Sequence, residues 1–142
     1  MILTIGQLSA KSSCKITTIR YYEGIKLMPE ATRSSGNQRQ YHQADLNRLR
    51  FIRHSRELGF SLDDIKELLS LSNAPKDDAP ENNSHRAEDI ASKQLQATRS
   101  RIQRLQSLEQ ELQLMLNHCN HDSHQTCRVI EVLTNHQLCQ GH

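Results

Sequence analysis

A run without proline or glycine, from Arg86 to Asn117, most constrains how this chain can fold. Mostly apolar side chains recur along it in alternating steps of four and three residues. They are Ala91, Leu95, Thr98, Ile102, Leu105, Leu112 and Leu116, widened by Leu108 and Met115 and interrupted at Glu109. This spacing predicts a long helix with a coiled-coil seam. A helix of roughly 45 Å cannot bury such a stripe on a small domain, so we predict pairing of two copies rather than folding back on residues 1–72.

The first part of the chain contains two short helical patterns joined by a tight polar turn. The segments are LTIGQLSAKS and CKITTIRYYEGIKL, and their apolar residues recur at helical spacing. Two short helices joined in this way form a helix-turn-helix, whose second helix can enter the major groove of DNA. The next segment, MPEATRSSGNQRQY, suits a β-hairpin wing, and HQADLNRLRFIRHSRELGF and SLDDIKELLSLS add two further helices.

Charge is divided unevenly between the two halves of the chain. Residues 1–72 hold 11 lysines and arginines against 7 acids, whereas residues 73–142 hold 7 against 9. A basic front half favours a polyanionic partner. The candidate DNA contacts are Lys15, Arg20 and Tyr22 on the second helix, Arg33 and Arg39 on the wing, and Arg56 on the third helix. Each arginine alone would be ordinary surface charge, but their joint placement on a helix-turn-helix predicts binding to double-stranded DNA.

The segment HCNHDSHQTC, residues 118–127, gathers two cysteines and three histidines within ten positions. Thiolates and imidazoles are the preferred ligands of Cu(I), Zn(II) and similar ions. Turn-forming residues between Cys119 and Cys127 allow both sulfurs to reach one ion, so we predict these two as the primary ligands. Further candidate ligands are His118, His121 and His124. Cys14 fits a small buried residue of the helix-turn-helix, and Cys139 an accessory ligand or a tail residue without a role.

These patterns divide the chain into four parts. We predict a winged helix-turn-helix domain over residues 1–72, a linker over 73–84, a dimerisation helix over 85–117, and a metal-binding loop with a short helix and tail over 118–142. The fold is therefore expected to be mainly α. No stretch reads as a membrane span and no secretion leader begins the chain, so we expect a cytoplasmic protein with reduced cysteines and no membrane partner.

The motif TIRYYE at 18–23, with the wing that follows, resembles the MerR family of bacterial transcription regulators. The resemblance covers essentially the whole chain and implies an antiparallel pair of dimerisation helices. Where the family commonly shows Gly-Tyr-Arg-x-Tyr, this chain has GNQRQY, so Gln38 replaces an aromatic residue. Arg39 and Tyr41 keep their places, which adds Tyr41 to the expected DNA contacts. The resemblance also implies that RNA polymerase is a partner, that genes of metal export are the targets, and that the protein is not an enzyme.

The resemblance further bears on which metal is bound. In MerR-type metal sensors the effector loop carries two cysteines at this spacing, and a residue at the start of the dimerisation helix reaches the site from the other subunit. Sensors of divalent ions resemble one another in having cysteine there, whereas copper-efflux sensors have serine. Counting back from Cys119 places Ser84 at that position. Two thiolates without a third anion suit a monovalent ion, which implies Cu(I), with Ag(I) and Au(I) as mimics.

Three alternatives stay open. His85 of the other subunit and the histidines of 118–127 could complete a four-coordinate site for Zn(II), Cd(II), Co(II) or Ni(II). Cys119 and Cys127 could instead form a disulfide in a sensor of oxidants or electrophiles. A small zinc hydrolase or deaminase is the third alternative, although the cluster contains no glutamate to serve as general base.

Overall fold

The computed structural model describes residues 1–73, 80–117 and 128–134. Helices and one small sheet follow one another along these residues. They are α1 (Ile5–Ser12), α2 (Ile16–Gly24), β1 (Thr32–Arg33), β2 (Arg39–Gln40), α3 (Gln43–Glu57), α4 (Leu62–Ser72), α5 (Pro80–Asn117) and α6 (Arg128–Thr134). The predicted fold class is confirmed: the chain is mainly helical, with an N-terminal winged helix-turn-helix and one long helix. It forms two compact units, Met1–Ile90 and Ala91–His142.

Small polar side chains fix the turn between α1 and α2. Ser9 Oγ donates to the carbonyl of Cys14 at 2.6 Å, and the Cys14 N–H donates to Ser12 Oγ at 3.2 Å. Ser13 takes the left-handed conformation, with φ at 59°, which ends α1. Cys14 is buried, as predicted. These hydrogen bonds connect the end of α1 to the residues just before α2. The turn therefore fixes the direction of α2 relative to α1.

One apolar core joins the first four helices and the wing. Its fully buried side chains include Leu8, Ile19, Leu27, Met28, Tyr41, Leu49, Ile52 and Ile65. The N-termini of α1 and α4 are capped by Thr4 and Ser61, each of which accepts a backbone hydrogen bond. Leu3 and Tyr41 exchange backbone hydrogen bonds of 2.7 and 2.9 Å. The first residues of the chain therefore hold the end of the wing.

Helix α5 begins earlier than the sequence predicted. We expected a linker over 73–84, but the helix begins at Pro80, so residues 80–84 are helical and 74–79 lie outside the described part. Proline suits the first turn of a helix, where its missing N–H costs no hydrogen bond. Ile90 is buried, and Arg86 Nε donates to Glu67 Oε1 of α4. The first turns of α5 therefore belong to the first unit.

In the second unit, α5 carries the predicted apolar stripe on its surface. Leu95, Ile102, Leu105, Leu112 and Leu116 are between 49% and 64% exposed. Such a contiguous apolar surface marks an interaction site. Met115 of α5 and Val132 of α6 are buried. None of the described helices is long and apolar enough to cross a membrane.

Candidate nucleic-acid interface and metal ligands

Helix α2 begins without a side-chain cap, because its N-cap residue, Lys15, makes no capping hydrogen bond. Its first backbone N–H groups are left for an external acceptor, and the helix dipole favours an anion there. The side chains of Lys15 and Arg20 are exposed, and neither bonds to any residue that the structure describes. Both therefore have the free charge and exposure that their predicted contacts with DNA require.

A recess of about 300 Å³ lies beside the first turn of α2. Its lining residues are Thr17, Thr18, Tyr21, Tyr22, Arg56 and Leu62. Arg56 Nη1 also lies 3.5 Å from the carbonyl of Phe60, which ties this guanidinium to the turn between α3 and α4. Hydroxyl and guanidinium groups are the usual donors to phosphate oxygens. The recess thus offers suitable donors for one phosphate, and it gives the predicted contact by Arg56 a defined place.

The tyrosine pair of α2 is divided between core and surface. Tyr22 is 8% exposed and Tyr21 is 55% exposed, with their ring centres 5.9 Å apart. Burial raises the pKa of Tyr22, and the nearby guanidinium of Arg56 partly offsets this effect. A contact between Tyr22 and DNA is therefore limited to the edge that lines the recess. The exposed ring belongs to Tyr21, which was not among the predicted DNA contacts.

The wing is a two-stranded antiparallel hairpin in which Arg33 pairs directly with Arg39. Asn37 turns the chain with φ at 63°, and Arg33 Nη1 donates to the Asn37 carbonyl at 3.1 Å. Arg33 is exposed, while the side chain of Arg39 is 33% exposed. Like charges placed opposite each other repel. The hairpin thus concentrates positive charge at the place predicted to contact the DNA backbone.

A largely buried carboxylate, Glu23 near the end of α2, connects this helix to the wing. Its side chain is 9% exposed. Tyr41 Oη donates to Glu23 Oε1 at 2.5 Å, and Arg39 Nη1 lies 3.5 Å from Glu23 Oε2. Glu23 was not predicted as a functional residue. One sequence signal could have pointed to Glu23: it is an acid on a helix whose basic residues suit a polyanionic partner.

The prediction that Tyr41 contacts DNA is wrong. Its side chain is fully buried, and its hydroxyl already donates to Glu23. Burial, followed by the hydrogen bond and charge of Glu23, raises the pKa of Tyr41 to about 12. Tyr41 therefore supports the wing from inside the domain.

Replacing Tyr41 by phenylalanine keeps the ring and removes the hydroxyl. We expect Tyr41→Phe to lower the free energy of unfolding by about 1.5–3 kcal/mol at pH 7, because a buried hydrogen bond to a charged acceptor is lost. Folding raises the pKa of Tyr41 from 10.0 to about 12, so the hydroxyl's contribution is complete below pH 10 and declines as the pH rises toward 12. Urea unfolding at pH 7 and pH 11 measures both effects.

The exposed Tyr21 provides the control, since Tyr21→Phe removes a hydroxyl with no protein partner among the described residues. Its free energy of unfolding should match that of the wild type at pH 7. Equal stability of Tyr41→Phe and the wild type at that pH would show that the hydroxyl does not anchor the wing.

Three arginines of α3 serve the fold. Arg48 Nε donates to the Leu27 carbonyl at 2.8 Å. Arg50 and Arg53 reach the carbonyls of Lys11 and Ser12, at the end of α1, over 3.4 and 3.5 Å. Cations at a helix C-terminus complement its dipole. Part of the positive charge of residues 1–72 is therefore committed to the domain itself.

The predicted metal ligands lie mostly outside the described residues. They are Cys119, Cys127, His118, His121 and His124, together with Cys139. Ser84 and His85 lie on α5 and are exposed, and His85 Nδ1 is 3.9 Å from Glu88 Oε2. Within 1–73, 80–117 and 128–134, no three histidine, cysteine or acidic side chains are placed to hold a metal ion. The metal site at 118–127 therefore stays a prediction.

Three features together define a winged helix-turn-helix transcription regulator. They are the uncapped start of α2, the wing with its two arginines, and the long helix α5. Family comparison specifies it further. The chain belongs to the MerR family: the model described as MerR HTH family regulatory protein matches residues 3–72, and the one described as MerR, DNA binding, matches residues 46–115. The family predicted from the TIRYYE motif is thereby confirmed.

Curated and solved relatives agree with this assignment. The HTH-type transcriptional regulator ZntR of Escherichia coli K12 is 37% identical over 131 residues, covering 91% of this chain and 90% of ZntR. Heavy metal-dependent transcription regulator 2 of Rhizobium meliloti is 33% identical, with coverages of 94% and 87%. The structure of the regulator PbrR691 from Ralstonia metallidurans CH34 in complex with lead(II) is 33% identical, with a TM-score of 0.71 and coverages of 92% and 98%. The prediction of a transcription regulator rather than an enzyme is confirmed.

Proposed function

We propose that this protein is a homodimeric regulator that binds promoter DNA and, when it binds a transition metal ion, activates genes for the export or detoxification of that metal. The observation that carries the DNA part is the uncapped start of α2 flanked by the unpaired charges of Lys15 and Arg20. The metal part is supported by the thiols of 118–127 and by relatives described as heavy metal-dependent or solved with lead(II).

In this proposal, each copy of α2 enters the major groove of one half-site. Lys15 and Arg20 contact base edges and phosphates near the start of the helix. Arg33 and Arg39 contact the backbone from the wing, and Arg56 does so from the recess beside α2. Since the two copies are related by a two-fold axis, the operator is expected to be a pseudo-palindrome.

Dimerisation would cover the stripe on α5. Five of its side chains are about half exposed or more in the single chain and follow a coiled-coil spacing: Leu95, Ile102, Leu105, Leu112 and Leu116. A second copy of the same helix is the simplest surface that matches this spacing. Dimerisation and recognition of two half-sites therefore depend on one another.

Cys119 and Cys127 would supply two thiolates to the ion, and we propose Cu(I) as that ion. Ser84, at the position from which a partner subunit would reach the site, carries an uncharged hydroxyl and is exposed on α5. Two thiolates leave less charge uncompensated with a monovalent than with a divalent ion. Metal can change transcription only by binding one conformation of the DNA-bound dimer better than the other.

A divalent ion such as Zn(II) is the second candidate. It is favoured by the likeness to ZntR and by the relative solved with lead(II), which is itself divalent. In that case the histidines of 118–127, with His85 of the other copy, would complete four ligands. X-ray absorption separates the candidates, because Cu(I) with two sulfur ligands and Zn(II) with mixed nitrogen and sulfur ligands give different coordination numbers.

Transcription from a cognate promoter with purified RNA polymerase tests the whole proposal. We expect the protein alone to bind the promoter without activating it, and the metal form to activate. Metal-independent transcription would contradict the proposal. Protein purified under reducing conditions that responds to oxidants and carries no stoichiometric metal would point instead to a Cys119–Cys127 redox sensor.

Changing Ser84 to cysteine adds a third thiol at the start of α5. We expect Ser84→Cys to raise the affinity for Zn(II) relative to Cu(I) by at least about tenfold, because a third thiolate compensates the charge of a divalent ion. Competition titrations with chelators of known affinity measure the ratio. Ser92→Cys, on an exposed position further along α5, is the matched control and should leave the ratio unchanged. An equal change in both variants would remove Ser84 from the site.

A further inference from the structure

We infer that Glu23 is a positioning residue, which holds the wing arginine Arg39 in the orientation that contacts a DNA phosphate. This inference rests on the proposed function, since it assumes that the wing touches promoter DNA. It assigns a role to an acid on the recognition helix, where a negative charge by itself would oppose DNA binding.

Both carboxylate oxygens of Glu23 are occupied by the wing. Oε1 accepts the Tyr41 hydroxyl at 2.5 Å, and Oε2 lies 3.5 Å from Arg39 Nη1. Tyr41 is fully buried and exchanges backbone hydrogen bonds with Leu3, so it is a rigid support for the carboxylate. The Glu23 side chain, 9% exposed, is mostly withdrawn from solvent, whereas that of Arg39 is 33% exposed. Arg39 is therefore held by Glu23, while a third of its side chain stays exposed to solvent.

The register of the wing explains why an anchor is needed. Arg33 and Arg39 are directly paired, and each strand of the hairpin has only two residues. Repulsion between two guanidinium groups would turn Arg39 away from Arg33, and so short a ladder offers little resistance. Arg33 is held separately, through the Asn37 carbonyl. Glu23 offsets the charge of Arg39 and fixes its direction.

The sign of the effect on DNA affinity separates positioning from simple charge. Removing any acid near the DNA should raise the affinity for all sequences, because repulsion of the phosphates decreases. Removing a positioning acid should lower operator affinity despite that gain. Glu30 is the matched control: it is an exposed acid just before the wing and bonds to no described residue.

The experiment compares Glu23→Gln and Glu30→Gln in full-length dimers, titrated against operator DNA and against unrelated DNA. We expect Glu23→Gln to weaken operator binding by about tenfold, because the charge-assisted contact of Arg39 is misplaced, and to weaken binding to unrelated DNA by an equal or smaller factor, because the same phosphate contact is involved. Glu30→Gln should bind both DNAs equally well or slightly more tightly. A rise in operator affinity for Glu23→Gln, parallel to that of Glu30→Gln, would overturn the inference.

A double-mutant cycle shows whether Glu23 acts through Arg39. Arg39→Ala is expected to weaken operator binding about tenfold in the wild type and no more than about twofold in Glu23→Gln. Equal losses in both backgrounds would refute a positioning role. Tyr41→Phe keeps both partners of the Glu23–Arg39 ion pair. In that background Arg39→Ala should cost more operator affinity than in Glu23→Gln, which distinguishes the ion pair from a general loss of wing stability. If the wild type itself does not bind the operator, the proposed function fails first.

Discussion

A protein with charged residues in the stripe of α5 is expected to be monomeric and to lose operator binding by at least about 100-fold. Ile102→Glu with Leu105→Glu places two acids at consecutive seam positions, which are 49% and 64% exposed in the single chain. In a pair of helices these four carboxylates would lie within one apolar interface, where like charges cost several kcal/mol. A monomer then contacts only one half-site, so the gain from linking two contacts is lost. Sedimentation equilibrium and operator titration measure the two effects.

Two other substitutions on the same helix provide the control. Gln103→Glu with Ser107→Glu adds the same charge at exposed positions off the stripe. Glutamate is a good helix former, so both double variants should keep the helical circular dichroism of the wild type. The control should remain dimeric and bind the operator within about twofold. A stripe variant that stays dimeric would show that α5 is not the dimer interface, and the proposed reading of two half-sites would lose its basis.

Loss of either primary thiol is expected to abolish metal-dependent activation and to spare DNA binding. In Cys119→Ser or Cys127→Ser, a two-thiolate site keeps one ligand, and serine is a poor ligand for a soft ion. The residues proposed to contact DNA all precede residue 57, so operator affinity without metal should stay within about twofold of the wild type. In vitro transcription with increasing metal, together with metal-to-dimer stoichiometry, measures the response.

Cys139→Ser separates a primary from an accessory ligand. It removes a thiol of the same chemistry from the C-terminal segment, and we expect full activation at saturating metal. Weaker operator binding by Cys119→Ser would contradict the proposed division between sensing and DNA binding. Normal activation by both Cys119→Ser and Cys127→Ser would remove the pair from the metal site.

The helices could be predicted because their apolar residues repeat with clear periods. The start of α5 could not, because the sequence shows prolines at 75 and 80 as equal signs of a break. Whether a proline ends a helix or begins one depends on the direction of the chain around it. Only the structure shows that Pro80 lies in a first turn.

Only part of the DNA-binding surface could be predicted, because local patterns show the exposure of some residues but not of others. Arg20 and Lys15 could be identified because their exposure follows from the helical period of α2. Tyr41 could not be placed correctly, because its hydroxyl partner, Glu23, lies 18 residues earlier on another element. A sequence shows which groups a residue carries, but contacts between distant elements decide whether those groups face solvent.

The backbone exchange between Leu3 and Tyr41 has a practical consequence. Leu3 is 2% exposed and closes the base of the hairpin, whereas Met1 and Ile2 are exposed just before it. A fusion partner attached before Met1 therefore lies two residues from the base of the hairpin, and we expect a bulky tag there to weaken the fit of the wing on operator DNA. Binding assays on such fusions would underestimate the affinity of the native polypeptide unless a flexible spacer separates the tag from Leu3.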